Sequence, residues 1–238
     1  MSDKTMPRVL GILGGLGPMA TVYFYEMLTR HTKVKCDQDH IDVIINSRAT
    51  TPDRTSYILG SSTQNPFDIM AADAKRLETF GADVLAIPCN TAHYFYKMLD
   101  DCVNIPILNM PKETVNTAKL DGNAKVGILA TSGTVKTSTY QDVCDKLNVK
   151  WAVPSEDKQN DIMNVIYEDI KKGKRADMRS FKGAVKELER QGCDRIILGC
   201  TELSLIKKDE NLGELYLDSM EVLAKSAILT FGKTAIGF

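Results

Sequence analysis

Short aliphatic or β-branched runs alternate along the chain with longer stretches in which apolar residues recur every three or four positions. The runs are VLGIL (9–13), IDVII (41–45), VLAIP (84–88), IPIL (105–108), KVGILA (125–130), VKWAV (149–153) and RIILG (195–199). Their length and branching predict buried strands. Between them lie MATVYFYEMLTRHTK, DIMAADAKRLETFG, STYQDVCDKLN, QNDIMNVIYEDIKKG and MRSFKGAVKELERQG, whose spacing predicts amphipathic helices. Strands alternating with helices imply parallel βαβ units and a doubly wound α/β fold.

The pattern repeats. RVLGILGGLG (8–17) resembles KVGILATSG (125–133), and GADVLAIPCNT (81–91) matches GCDRIILGCTE (192–202), with a cysteine eight residues after the leading glycine in each. The spans from Gly11 to Gly81 and from Gly127 to Gly192 are 70 and 65 residues, which predicts a duplicated unit of about half the chain. The expected architecture is two pseudo-symmetric doubly wound parallel-sheet domains. The first takes residues 1–107 plus 214–238 and the second 108–213, because LYLDSMEVLAKSAILTFG reads as a strand and helix returning to the first domain. Packed about a pseudo-twofold axis, such units bring Cys89 and Cys200 face to face at the C-terminal ends of parallel strands. That is where open α/β sheets build their ligand sites.

Composition narrows the partners. At 238 residues the chain can bury a core without disulfides or metal. Lysine plus arginine number 30 against 31 acidic residues, so no global basic field recruits nucleic acid or an anionic membrane. The opening MSDKTMPRVLGILGG carries only a brief apolar stretch, and nowhere do about 18 apolar residues run together, which reads as a soluble cytoplasmic protein. The six cysteines (36, 89, 102, 144, 193 and 200) form no C-x-x-C pair, which argues against a zinc knuckle or a disulfide scaffold.

A thiol at a strand end where a helix begins meets unpaired backbone N–H groups and the positive end of the helix dipole. Both lower a thiol's pKa. A cysteine is more often just a small buried apolar side chain, and that reading suits Cys36, Cys102, Cys144 and Cys193. For Cys89 and Cys200 the repeat and the polar residues that follow favour chemistry. Two thiols facing one cavity, one ionised and one protonated, can take a proton from one face of a carbon and deliver one to the other. That is racemisation. Asn90, Thr91 and Thr201 offer short donors beside the cysteines, and Thr131 to Thr134 offer hydroxyls and N–H groups suited to a carboxylate, with helix capping as the alternative role for each. GGLGP (14–18) has neither the Walker lysine nor G-x-G-x-x-G, so it reads as a tight turn that brings backbone near a ligand. His93 and Glu202 are candidates for tuning the thiols, although His93 suits a core or helix-surface position as well. A Cys89 and His93 metal pair has no further ligands beside it.

These motifs resemble the cofactor-independent aspartate/glutamate racemase superfamily, and within it the aspartate racemase branch. GILGGLGP (11–18), TPDRT (51–55), PCNTAH (88–93), ATSGT (130–134), IYEDIKKG (166–173) and GCTELS (199–204) occur in the family's order, with PCNTAH and GCTE the specific part. The resemblance implies two pseudo-symmetric domains with the active site in the cleft between them, a homodimer, an amino-acid substrate and no pyridoxal phosphate or other cofactor. It implies Cys89 and Cys200 as the catalytic thiols, with Asn90, Thr91 and Thr201 beside the α-carboxylate. Arg54 and Lys171 then grip a side-chain carboxylate, which a guanidinium can hold bidentately. Leu16, Thr55, Thr131, Gly133 and Thr134 complete the substrate-binding set. Two positions depart from the pattern: Glu202 stands where glutamate racemases carry histidine, which favours aspartate, and Leu16 replaces a methionine. Three alternatives remain open on the residues: an isomerase or decarboxylase of the same superfamily, a Cys89–His93 hydrolase that leaves Cys200 without a role, and a carboxylate-binding protein without catalysis.

Overall fold

The computed structural model describes residues 8–122 and 124–238. The first seven residues of the opening stretch read for a targeting segment lie outside them. The first unit runs β1 (Val9–Gly14), α1 (Pro18–His31), β2 (Asp42–Ser47), α2 (Arg54–Leu59), α3 (Phe67–Thr79) and β3 (Val84–Ala86). Its strands are parallel, in the order β2-β1-β3. Short α4 (Tyr96–Asp100) and then α5 (Met110–Leu120) lead to the second unit. This comprises β4 (Lys125–Ala130), α6 (Ser132–Lys136), α7 (Gln141–Leu147), β5 (Lys150–Ala152), α8 (Glu156–Asn164) and α9 (Met178–Arg190), then β6 (Arg195–Gly199), α10 (Thr201–Glu210), β7 (Tyr216–Asp218) and α11 (Ser219–Thr230). Its parallel order is β5-β4-β6-β7. The fold is α/β with two parallel sheets, as the alternating pattern requires. Among the described residues, no helix is long and apolar enough to cross a membrane.

The repeat has physical content. Gly81 and Gly192 take φ of +98° and +83° just after α3 and α9, a conformation that costs glycine least. Two residues on, Asp83 Oδ2 accepts the N–H groups of Arg8 and Val9 at 2.8 and 2.9 Å, and Asp194 accepts those of Ala124 and Lys125 at 2.7 and 3.2 Å. Each G-x-D thus turns the chain out of a helix and ties down the start of the neighbouring strand. Gly11 and Gly127, mid-strand in β1 and β4, have no room for a side chain: a Cβ would come 2.6 Å from Leu85 and 2.8 Å from Ile196.

Three expectations change. IPIL does not form a strand; it leaves one parallel bridge, Leu85 to Ile107, because Pro106 has no N–H to give to a ladder. The helix expected through residue 173 breaks into a π-type turn over Val165–Asp169 and a 3₁₀ turn over Ile170–Lys172. Residues from 214 do not all return to the first domain, since Tyr216–Asp218 pairs with β6 in the second sheet. Helix α11 crosses back, packing Met220, Leu223, Ala224 and Ala227 on Leu10, Ile12 and Phe24, and the tail after it follows, with Ala235 bridging Thr32 beyond the end of α1. Helix α5 crosses the other way and buries Val115 and Ala118 against Val126, Ile128 and Ile197. Each sheet is therefore closed by the helix that follows the last strand position of the other.

Candidate active site

Both thiols lie at strand ends of the two units. Cys89 follows β3, its N–H donating to the Ile87 carbonyl at 2.8 Å as the chain turns toward a 3₁₀ stretch over Thr91–Phe95. Cys200 is the residue from which α10 starts. They are 6% and 5% exposed. A cleft of about 480 Å³ opens between the units, lined by Leu16, Asp53 and Arg54 from the first and by Lys171, Glu202 and Leu205 from the second. The sulfurs are not on its wall; the charged residues that line it reach back to them.

Burial works against the charge of Arg54, but Cys89 and Asp53 outweigh it, and the guanidinium is held charged. Its Nη1 donates to the Pro52 carbonyl at 3.0 Å and its Nη2 to the Leu16 carbonyl at 2.5 Å, so backbone fixes where the positive charge stands. Burial likewise opposes the Lys171 ammonium, and Glu202, then Cys200, Tyr167 and Cys89 overcome it. Lys171 Nζ lies 3.2 Å from Glu202 Oε1 and 5.0 Å from the centre of the Tyr167 ring. The other carboxylate oxygen, Oε2, accepts from Cys200 Sγ at 3.0 Å and from Thr201 Oγ1 at 3.4 Å.

Cys200 departs from the lowered pKa that its strand-end position predicts. Burial first, and then the charge of Glu202, push its pKa well above the ordinary thiol value, with Lys171 pulling the other way. Cys200 therefore keeps its proton at neutral pH. The GGLGP turn also finds a specific job. Gly17 passes so close to Glu202 that a Cβ would stand 3.0 Å from Oε1.

The hydroxyls converge. Thr91 from the first unit and Thr131 and Thr134 from the second form a closed triangle with edges of 2.9, 3.0 and 3.0 Å, all three buried. Thr131 Oγ1 also caps α6 by accepting the Thr134 N–H at 3.3 Å, and hydroxyl hydrogens shared within such a triangle can turn toward an incoming carboxylate. Thr55 packs on Gly133, where an added Cβ would meet the Thr55 Cα at 3.1 Å, so α2 and α6 touch through a glycine.

Two candidates are occupied elsewhere. The Asn90 side chain accepts from the Tyr140 hydroxyl and donates to Ser219 Oγ at 3.0 Å. His93 is buried; its Nε2 accepts the Met110 N–H at 3.2 Å, which leaves Nδ1 to donate to the Cys89 carbonyl at 2.9 Å. With both ring nitrogens engaged by backbone, and burial holding its pKa below the usual histidine value, His93 cannot serve Cys89 as a general base. The hydrolase alternative loses its dyad.

Sequence reasoning missed Tyr167 and Asp53. The Tyr167 hydroxyl donates to the Asp53 carboxylate at 3.2 and 3.3 Å, joining the two sides of the cleft. A signal existed: Tyr167 precedes Lys171 by four residues, one helical turn. The π-type turn, a feature that favours functional sites, places both at the cleft.

The chain is similar to known proteins over nearly its whole length. The broad-specificity amino-acid racemase RacX of Bacillus subtilis is 26% identical over 227 residues, 94% of this chain and 98% of that one. Among solved structures, the Picrophilus torridus aspartate racemase is 30% identical with a TM-score of 0.81, over 96% of each chain. The glutamate racemase of Francisella tularensis, solved with D-glutamate, shares the fold at a TM-score of 0.67 and 17% identity, over 94% of this chain and 81% of that one. Residues 13–227 match the family described as Asp/Glu/Hydantoin racemase. The chain belongs to that family, and the enzyme is an isomerase.

Proposed function

We propose that the protein racemises aspartate, using Cys89 and Cys200 as a base and an acid on opposite faces of the substrate Cα. The observation that carries the reading is that two buried thiols, one at a strand end of each unit, stand behind one cleft in unlike surroundings, Cys89 in the cluster that holds Leu16 and Cys200 against Glu202. Cys200 holds its proton against Glu202, and Cys89 faces the Arg54 guanidinium. The α-carboxylate meets the hydroxyls of Thr91, Thr131 and Thr134, while Arg54 and Lys171 take the side-chain carboxylate. The Cα–H bond breaks as its proton passes to the Cys89 thiolate; donors aimed at the α-carboxylate stabilise the electron pair left on carbon. The Cys200 proton then forms the new Cα–H bond from the other face. The reverse turnover starts from the opposite thiol, whose negative charge Lys171 supports.

A second reading is favoured by the pairing of Lys171 with Glu202 at 3.2 Å. With that cation already matched, a substrate without a second carboxylate leaves no charge stranded, and RacX is a broad-specificity enzyme. One experiment covers both. The purified protein, with no added cofactor, is incubated in D₂O with L-aspartate and, separately, with L-glutamate and uncharged amino acids, alongside Cys89→Ser and Cys200→Ser. D-aspartate deuterated at Cα should appear, and its formation should fall by about 10²–10⁴-fold in either variant. Faster turnover of uncharged amino acids selects the broad-specificity reading. No exchange with any of them overturns racemisation by two thiols.

A further inference from the structure

The two thiols belong to different units, so some contact between units must fix how far apart they stand and where they point. Tyr140 stands at that place. Its fully buried ring lies on Gly199, where a Cβ would come 3.0 Å from Tyr140 Cε2, and Gly199 directly precedes Cys200. Its hydroxyl donates to Asn90 Oδ1, and Asn90 directly follows Cys89. Asn90 Nδ2 passes the connection to Ser219 Oγ at 3.0 Å, and Ser219 donates to the Leu198 carbonyl at 2.8 Å, on β6 two residues before Cys200. The circuit closes on both sides. Asn90, Tyr140 and Ser219 are all buried, so a lost bond here is not replaced by bulk water. Asp218 steadies the Ser219 end, accepting from Ser204 Oγ of α10 at 2.6 Å and from the Met220 N–H at 2.8 Å.

We propose that Tyr140 and Ser219 are positioning residues that set the separation and aim of Cys89 relative to Cys200, and so decide whether a substrate whose Cα–H bond has broken is inverted or returned. The inference rests on the two-thiol reading above. Inversion needs both sulfurs within reach of one carbon at once. When the spacing relaxes, the first thiolate still takes the proton, its hydrogen exchanges with solvent, and the exchanged hydrogen goes back to the same face.

The test uses Tyr140→Phe, which keeps the ring on Gly199 and removes only the hydroxyl, and Ser219→Ala, which cuts the other link. Wild type and both variants are incubated with L-aspartate in D₂O, and after chiral separation the deuterium in remaining L-aspartate is compared with D-aspartate formed. The ratio of exchange to inversion should rise about fivefold or more in each variant, with KM for aspartate within about twofold of wild type. An unchanged ratio, whether both rates fall together or neither does, overturns the proposal and makes the circuit purely structural. Should one variant fail to fold in a thermal melt, the other decides. Absence of exchange in the wild type is a different result, because it removes the two-thiol reading itself.

Discussion

Glu202 serves four neighbours at once: it accepts from Cys200 and Thr201, pairs with Lys171 and has Gly17 packed against it. Its charge is the largest contribution after burial to the raised pKa of Cys200. Glu202→Gln should therefore lower the Cys200 titration midpoint, read as ultraviolet thiolate absorbance in a Cys89→Ser background. A midpoint that stays put or rises removes Glu202 as the cause. Racemisation in Glu202→Gln should drop by about 10²-fold, because Cys200 loses its carboxylate partner and Lys171 loses its counter-charge. His93 makes a separate prediction. Burial lowers its pKa from the ordinary 6.5, so the folded ring stays neutral while the unfolded chain takes up a proton as the pH falls. Its stabilising contribution is complete above that pH and is lost on acidification toward the lowered value. His93→Ala should cost about 2–4 kcal/mol at pH 7.5 through the two unpaired backbone groups and the space left behind. The penalty should shrink as the pH falls below about 6.5 in urea titrations. A penalty independent of pH counts against a neutral, backbone-bound ring. Cys89 and Cys200 were legible in the sequence because each follows a repeated glycine by eight residues. Tyr140 and Ser219 were not, since their partner Asn90 is 50 and 129 residues distant and only the packing of two units brings them together.

Asp83 and Asp194 do the same work at equivalent corners, each holding two strand-starting N–H groups. Asp83→Ala and Asp194→Ala should each destabilise by about 1 kcal/mol, and the double variant by their sum to within about 0.5 kcal/mol, because the corners share no partner. A markedly non-additive result in denaturant titrations would mean that the corners communicate through the sheets. Most strands were readable because central strands of parallel sheets are buried on both faces and appear as near-continuous apolar runs. IPIL reads the same way but is stopped by Pro106, which apolarity alone does not register. The break at Val165–Asp169 was hidden for a related reason: one extra residue in a turn shifts the helical period too little to show in a short window.

The exchange of α5 and α11 makes the two units one folding entity, although their sheets are separate. Leu223 packs in the first unit's core, whereas the single tryptophan, Trp151, lies on β5 of the second. Leu223→Ala should cost about 2–5 kcal/mol and shift the Trp151 fluorescence transition by as much as the far-ultraviolet circular dichroism. Two separated transitions would contradict this. The duplication was visible in the sequence, and so was a late segment crossing to the first unit, but its division between a strand for one sheet and a helix for the other was not. The pattern of apolar residues shows that a face is buried without showing against what. A last consequence concerns the order in which the chain is made. As residues leave the ribosome from the N-terminus, the apolar face carrying Leu10 and Ile12 has α1, through Ala20, Phe24, Met27 and Leu28, as partial cover long before Ser219–Thr230 emerges. The earliest sheet to be synthesised is thus among the last to be finished.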